Sequence, residues 1–164
     1  MHIIEQGHVQ PNPWTSVGDS DPLPPQHVLV SLRRFVADHA ALQAHGWPVG
    51  VVVHPTDPWR EHITLLAGAP MIAIVFQTFA DGRGYSIARH LRDHAGYRAA
   101  LWARGDILRD QIYYYRRCGF DVFDVPTGQR PEDLLAGWDD FSVAYQPTTV
   151  NPARLGGNAA YDAG

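Results

Sequence analysis

Hydrophobic positions along the chain switch repeatedly between two periods, and the switches mark out the elements. Residues 2 to 17 alternate weakly, with Gly7 and Pro11-Asn12-Pro13 as punctuation, which predicts a short hairpin at a sheet edge leading into a loop. A proline-rich connector, DSDPLPPQ (19–26), follows. Leu29, Leu32, Phe35, Val36 and Ala40 then recur at helical spacing before Gly46, which predicts one amphipathic helix. From Trp47 onward the pattern becomes strand-like and helix-like in turn. The β-branched run 48–55 precedes a helix over 59–66, and the apolar run 71–79 precedes a helix with Ile87, Ala88, Leu91 and Ala95 on one stripe. A third strand, 98–105, leads to a helix over 107–119 with Leu108, Ile112 and Tyr115 inward. A fourth strand, 120–126, leads to a helix over 131–141 that opens on proline and acids.

This order of elements predicts an α/β fold of about four βα units in a mainly parallel sheet, with right-handed crossovers and an N-terminal hairpin. Four such steps are too few to close an eight-stranded barrel. The alternatives are an open three-layer sheet, or a half-barrel that pairs with another copy. Either way, the loops following the strands share one edge, where ligands bind in such sheets. The expected division is a hairpin and connector over 1–26, an α/β domain over 27–146, and a disordered tail over 147–164, small, polar and rich in glycine and proline.

Composition narrows the function classes. The chain has 164 residues, 45% hydrophobic and 18% charged, enough for one buried core. Its single cysteine, Cys118, excludes an internal disulfide, a four-cysteine zinc site and an all-cysteine iron–sulfur site within one chain. No apolar run approaches the ~20 residues of a membrane helix and the N-terminus lacks signal-peptide order, so a cytoplasmic protein with no membrane partner is expected. The net charge of −4 conceals an uneven distribution. All 13 basic residues are arginine, and residues 83–117 set eight of them against three aspartates, a local +5 against −9 elsewhere. Such a segment suits a small oxyanion or an acidic partner, whereas the acidic whole argues against nucleic acid.

Two loops on the expected edge carry the candidate chemistry. In the first, Asp81, Gly82, Arg83, Gly84 and Ser86 place two glycines around an arginine at a helix start, where backbone N–H groups and a guanidinium can converge on an anion. Ile87 stands where a dinucleotide loop needs a third small residue, and the absence of lysine excludes a Walker loop. A helix-capping role for Asp81 fits the same residues. The second loop repeats the design with Arg104, Asp106 as an expected N-cap, and Arg109. Arg83 with Arg104 or Arg109 would share one oxyanion if the strands align. The alternative is a pair of Arg–Asp contacts that simply fix adjacent loops, each worth ~1 kcal/mol or less if exposed. Arg116 and Arg117 precede Cys118, and would favour a reactive thiolate that the helix C-terminus disfavours. His90 and His94 have two-histidine metal spacing but lack a third ligand, so no metal is expected, and without a dinucleotide or flavin loop no cofactor is expected.

The stretch 79–123 and DDFSVAYQ near residue 146 resemble the bacterial family domain of unknown function nine-three-four. DGRGYSIAR, GD-x-LRDQ and RRCGFD occur in the order and spacing of that family. Its members are frequently encoded beside the sulfite reductase haemoprotein and described as oxidoreductases of sulfite reduction. The resemblance therefore implies a place in sulfur assimilation, and it brings no established catalytic residues. One cysteine cannot hold the cluster that sulfite reductase couples to sirohaem, so the chain is not that catalytic subunit. The expectation is an accessory protein of assimilatory sulfite reduction that binds an oxyanion or docks the haemoprotein or its electron donor. The alternatives are a small-molecule oxidoreductase with its pocket at the same edge, and a homodimer whose basic segment meets Asp139 and Asp140.

Overall fold

The computed structural model describes residues 1–139. Eight strands form one sheet: β1 (His2–Glu5), β2 (His8–Pro11), β3 (Thr15–Ser16), β4 (Val28–Ser31), β5 (Val49–Val53), β6 (Met71–Phe76), β7 (Ala100–Gly105) and β8 (Val122–Asp124). Their order is β2-β1-β8-β7-β6-β5-β4-β3. Strands β3 to β8 are parallel to one another, whereas β1 is antiparallel to both β8 and β2. Between them lie α1 (Leu32–Ala37), α2 (His39–Gln43), α3 (Ile63–Leu66), α4 (Arg83–Asp93) and α5 (Ile112–Arg117), and α6 (Pro131–Asp139) follows β8.

Consecutive parallel strands are neighbours throughout, so same-handed crossovers put every helix on one face. The core confirms it. Val30, Val51, Ile74, Ala103 and Phe123 pack with Phe35, Leu66, Leu91, Tyr115 and Leu134 from the helices. The alternate strand positions, Ile3, Leu29, Met71, Ala73, Trp102 and Val122, form a second cluster that contains no helical residue, yet each is no more than 3% exposed.

Curling of the sheet covers that second face. Flat, eight strands at ~4.8 Å spacing would be ~34 Å wide. Strands β2 and β3 are its two edges, but only Asn12, Pro13 and Trp14 connect them. Four Cα steps of ~3.8 Å span at most ~15 Å. The edges therefore approach one another, and Trp14 packs against the inner cluster. A side-chain bond makes the same point: Arg104 of β7 donates to Ser16 Oγ of β3 at 3.4 Å, although three strands lie between them in the sheet.

The architecture is thus a mixed α/β curled half-barrel, not an open three-layer sheet. The middle of its concave face is filled by the chain's own side chains. Eight strands arise because the hairpin and two missed strands add to the four expected. Val28–Ser31, expected as the start of a helix, is β4. Its apolar residues suit either period, and parallel pairing of Val28 to Ser31 with Val49 to Val52 selects the strand. Ser31 then caps α1, its hydroxyl accepting from Arg34 N at 3.1 Å. Thr15–Ser16, expected within the hairpin and its loop, is the far edge of the sheet; of the hairpin strands, β2 is the other edge and β1 lies inside the sheet. The expected helix over 107–119 is a 3₁₀ turn, Arg109–Gln111, followed by α5. The tail 147–164 and Asp140 lie outside the described residues.

Candidate functional site

Strand alternation decides what reaches the open end of the half-barrel. In the middle layer of the concave face, Ser31, Val52, Ala73, Trp102 and Val122 lie side by side in register. Two residues further along the parallel strands, at their C-terminal ends, the same face carries His54, Val75, Arg104 and Asp124. These border a cavity of about 490 Å3, with Ser16, Asp19 and Ser31 contributed by β3, the loop after it and β4. Trp102 forms the floor beneath Arg104, whose guanidinium lies 4.9 Å from the ring centroid.

Asp124 is fixed by its neighbours. One carboxylate oxygen accepts from Trp102 Nε1 at 2.9 Å and the other from Gly105 N at 3.0 Å. Burial pushes its pKa above the usual 3.8, against the opposing pull of the Gly105 N–H, Arg104 and the Trp102 indole. Gly105 is required there: its φ is +98°, and a Cβ would lie 2.3 Å from the Phe76 carbonyl oxygen. Asp19 is held by Ser31, whose hydroxyl donates at 2.6 Å, and by Arg33 at 2.8 Å. The Ser31 bond is the main reason its pKa falls below the ordinary carboxylate value.

Arg104 is the under-used group. It makes a 3.4 Å bond to Ser16, approaches Asp124 with Nε at 3.9 Å and lies over the Trp102 ring. A guanidinium has five N–H donors. Its side chain retains 22% exposure, at the cavity.

Of the residues expected to bind an anion, only Arg104 lines this cavity. At the first loop Asp81 itself occupies the anion's place, accepting Arg83 N at 3.1 Å, Arg83 Nε at 2.9 Å and Arg83 Nη2 at 2.8 Å. The Arg83 side-chain bond is the chief cause of the lowered Asp81 pKa. Gly84 has a packing role, since a Cβ there would meet the Phe76 ring at 2.5 Å, while Gly82 faces open space and Ser86 is exposed on α4. Asp106 is not an N-cap: Leu108 precedes the 3₁₀ turn, and the Asp106 carboxylate accepts Phe79 N at 3.0 Å, tying the β6 loop to the β7 loop. The backbone and Cγ of Arg109 pack against Gly137 of α6. Arg116 lies 4.0 Å from the Trp138 ring and donates to the Trp138 carbonyl, and Arg117 lies 5.7 Å from the Tyr113 ring. Cys118 is fully buried, and burial raises its thiol pKa against the opposing influence of Arg89.

Sequence reasoning missed His54 and Asp124. Each is a polar residue that closes an apolar strand two positions beyond an inward-facing one, in VVVH and VFD, and the period-2 rule places such residues on the inner face.

The family model of the bacterial protein of unknown function (DUF934) matches residues 50–155. The chain belongs to this family. No curated protein and no solved structure matches it. The DUF934 match takes in β5 through α6, and therefore His54, Arg104 and Asp124, while Ser16, Asp19 and Ser31 precede it. Among the residues that carried the resemblance, Asp121 of RRCGFD has a structural part. It pairs at 2.8 Å with buried Arg92 of α4 and accepts Leu101 N at 3.0 Å, binding helix to sheet. No helix of the described residues is long and apolar enough to cross a membrane.

Proposed function

We propose that this DUF934 protein is an accessory component of assimilatory sulfite reduction that binds a small oxyanion, sulfite foremost, at the open end of the half-barrel. The observation that supports it most is the state of Arg104: a guanidinium with free donor capacity, held over a tryptophan floor in a cavity large enough for such an anion. Ser16, Ser31 and His54 stand around it as further polar partners. The pathway comes from the family resemblance and the chemistry from the site.

Calorimetric titration of the purified chain with sulfite tests the site. Saturable binding that Arg104→Ala weakens by tenfold or more is the expected result; affinity unchanged in that variant refutes it. Gene deletion tests the pathway: growth restored by sulfide but not by sulfite places the defect at sulfite reduction, and normal growth on sulfate refutes the role.

A second reading, docking of the sulfite reductase haemoprotein or its electron donor, draws on a different surface. Phe79 and Tyr114 are each 47% exposed, and Arg83 and Arg89 are exposed on the adjacent helix α4. Aromatic and arginine side chains together suit an acidic protein face. Loss of haemoprotein binding in Phe79→Ala with Tyr114→Ala would support docking.

A further inference from the structure

Asp124 shares the cavity with Arg104, and a simple anion site has no use for a carboxylate. We propose that Asp124 makes the open end of the half-barrel selective for oxyanions that carry a proton, and so excludes fully ionised ones such as sulfate. The inference rests on the oxyanion reading of this cavity and specifies which oxyanions it takes.

The geometry leads there in three steps. Arg104 Nε approaches Asp124 to 3.9 Å, too far for a hydrogen bond but close enough that an anion held on the guanidinium lies beside the carboxylate. Trp102 Nε1 and Gly105 N each engage one carboxylate oxygen, which fixes the group in place and leaves its remaining lone pairs. The Asp124 side chain keeps 13% exposure and borders the cavity. An anion with an O–H donates to those lone pairs. One without a proton sets its charge against them in a site partly withdrawn from water, where repulsion is strong. Asp19 and His54 also border the cavity, but Asp19 is already engaged by Ser31 and Arg33.

The test uses three inorganic probes on the whole chain at neutral pH. Sulfite and phosphate exist wholly or partly in protonated form there, and sulfate does not. Wild-type protein is expected to bind sulfite and phosphate about tenfold or more tighter than sulfate. Asp124→Asn is expected to narrow that ratio, chiefly by admitting sulfate, because the amide can donate to an unprotonated oxygen. Equal wild-type affinity for all three, lost in Arg104→Ala, overturns the selectivity while leaving the oxyanion site standing. Absence of any binding, or binding indifferent to Arg104→Ala, overturns the site reading itself. The wild-type ratio decides the matter even if Asp124→Asn fails to fold.

Discussion

Replacing Arg92 by methionine separates the architecture of this fold from its site. Arg92 is 4% exposed and makes five short bonds: Nε and Nη2 to Gly119 O at 3.1 and 2.7 Å, Nη1 to Tyr97 O and Ala99 O at 2.8 Å each, and Nη2 to Asp121 at 2.8 Å. Methionine keeps much of the stem and removes every donor. Tyr97 O retains Arg98 as a donor and Asp121 retains Leu101 N, but Gly119 O loses both of its Arg92 bonds and the buried carboxylate loses its counter-ion. Breaking one side of a buried pair costs about 3–5 kcal/mol, a large share of the ~5–15 kcal/mol that a domain possesses. With a urea m-value of ~2 kcal/mol/M, the midpoint should fall by about 1.5–2.5 M. Asp121→Asn, which removes the charge but keeps an acceptor for Leu101 N, should cost less. The double variant should be more stable than the sum of the single losses implies, by about 0.5–3 kcal/mol, because the stranded charge is gone. A midpoint shift under 0.5 M for Arg92→Met, or strict additivity in the cycle, would refute the view that this pair fastens α4 to the β7–β8 end of the sheet.

Three further expectations follow from the site. Gly105→Ala should lose about 2–4 kcal/mol in the same assay, from its positive φ and the Phe76 carbonyl contact, whereas Gly82→Ala, at φ −70° facing open space, should change stability by less than ~0.5 kcal/mol. Cys118 should resist thiol reagents in the native protein and react on unfolding in urea; rapid native labelling would contradict its burial. Asp124 has a folded pKa above its unfolded value, so the native state binds more protons between the two values. Its contribution to stability is present at low pH and lost as pH rises through the folded pKa. The stability of wild type relative to Asp124→Asn should therefore fall as pH rises from 3.8 toward neutrality, and a flat difference would contradict the raised pKa.

What could be read in the sequence follows the length of its signals. The long apolar runs from Trp47 to Pro126 specify alternating strands and helices and place Arg104 at a strand end. Short elements are different. Val28–Ser31 has four residues and Thr15–Ser16 two, and each becomes a strand only through a partner distant in the chain. Curvature is less visible still, because it depends on which edges the three-residue link at Asn12–Trp14 joins, and that requires the strand order. The site inherits the difficulty. Arg83 and Arg104 look alike as loop arginines, but Arg83 has Asp81 two residues away as a bidentate partner, whereas Arg104 faces Ser16 from 88 residues earlier.

Two Arg–Asp pairs, Arg92 of α4 with Asp121 before β8 and Arg104 of β7 with Asp124 of β8, show why the open end, rather than the basic segment as a whole, is the functional candidate. Arg92 and Asp121 meet at 2.8 Å with nearly every polar atom engaged, an arrangement that holds a helix and leaves nothing to offer a ligand. Arg104 and Asp124 stand 3.9 Å apart in partial burial, with one long hydrogen bond on the arginine. Partial burial removes water from both charges without granting them a full hydrogen-bonded pairing, and for stability alone apolar residues of similar volume would serve as well or better. The strands invite such residues, because the layer beneath is Ser31, Val52, Ala73, Trp102 and Val122. A polar pair set one layer above that floor, with donors unspent and a cavity beside it, costs stability that a ligand can return by completing the bonds. The curl that the Asn12–Trp14 link imposes is what brings Ser16 across to the same cavity, so the feature least visible in the sequence is the one that assembles the site.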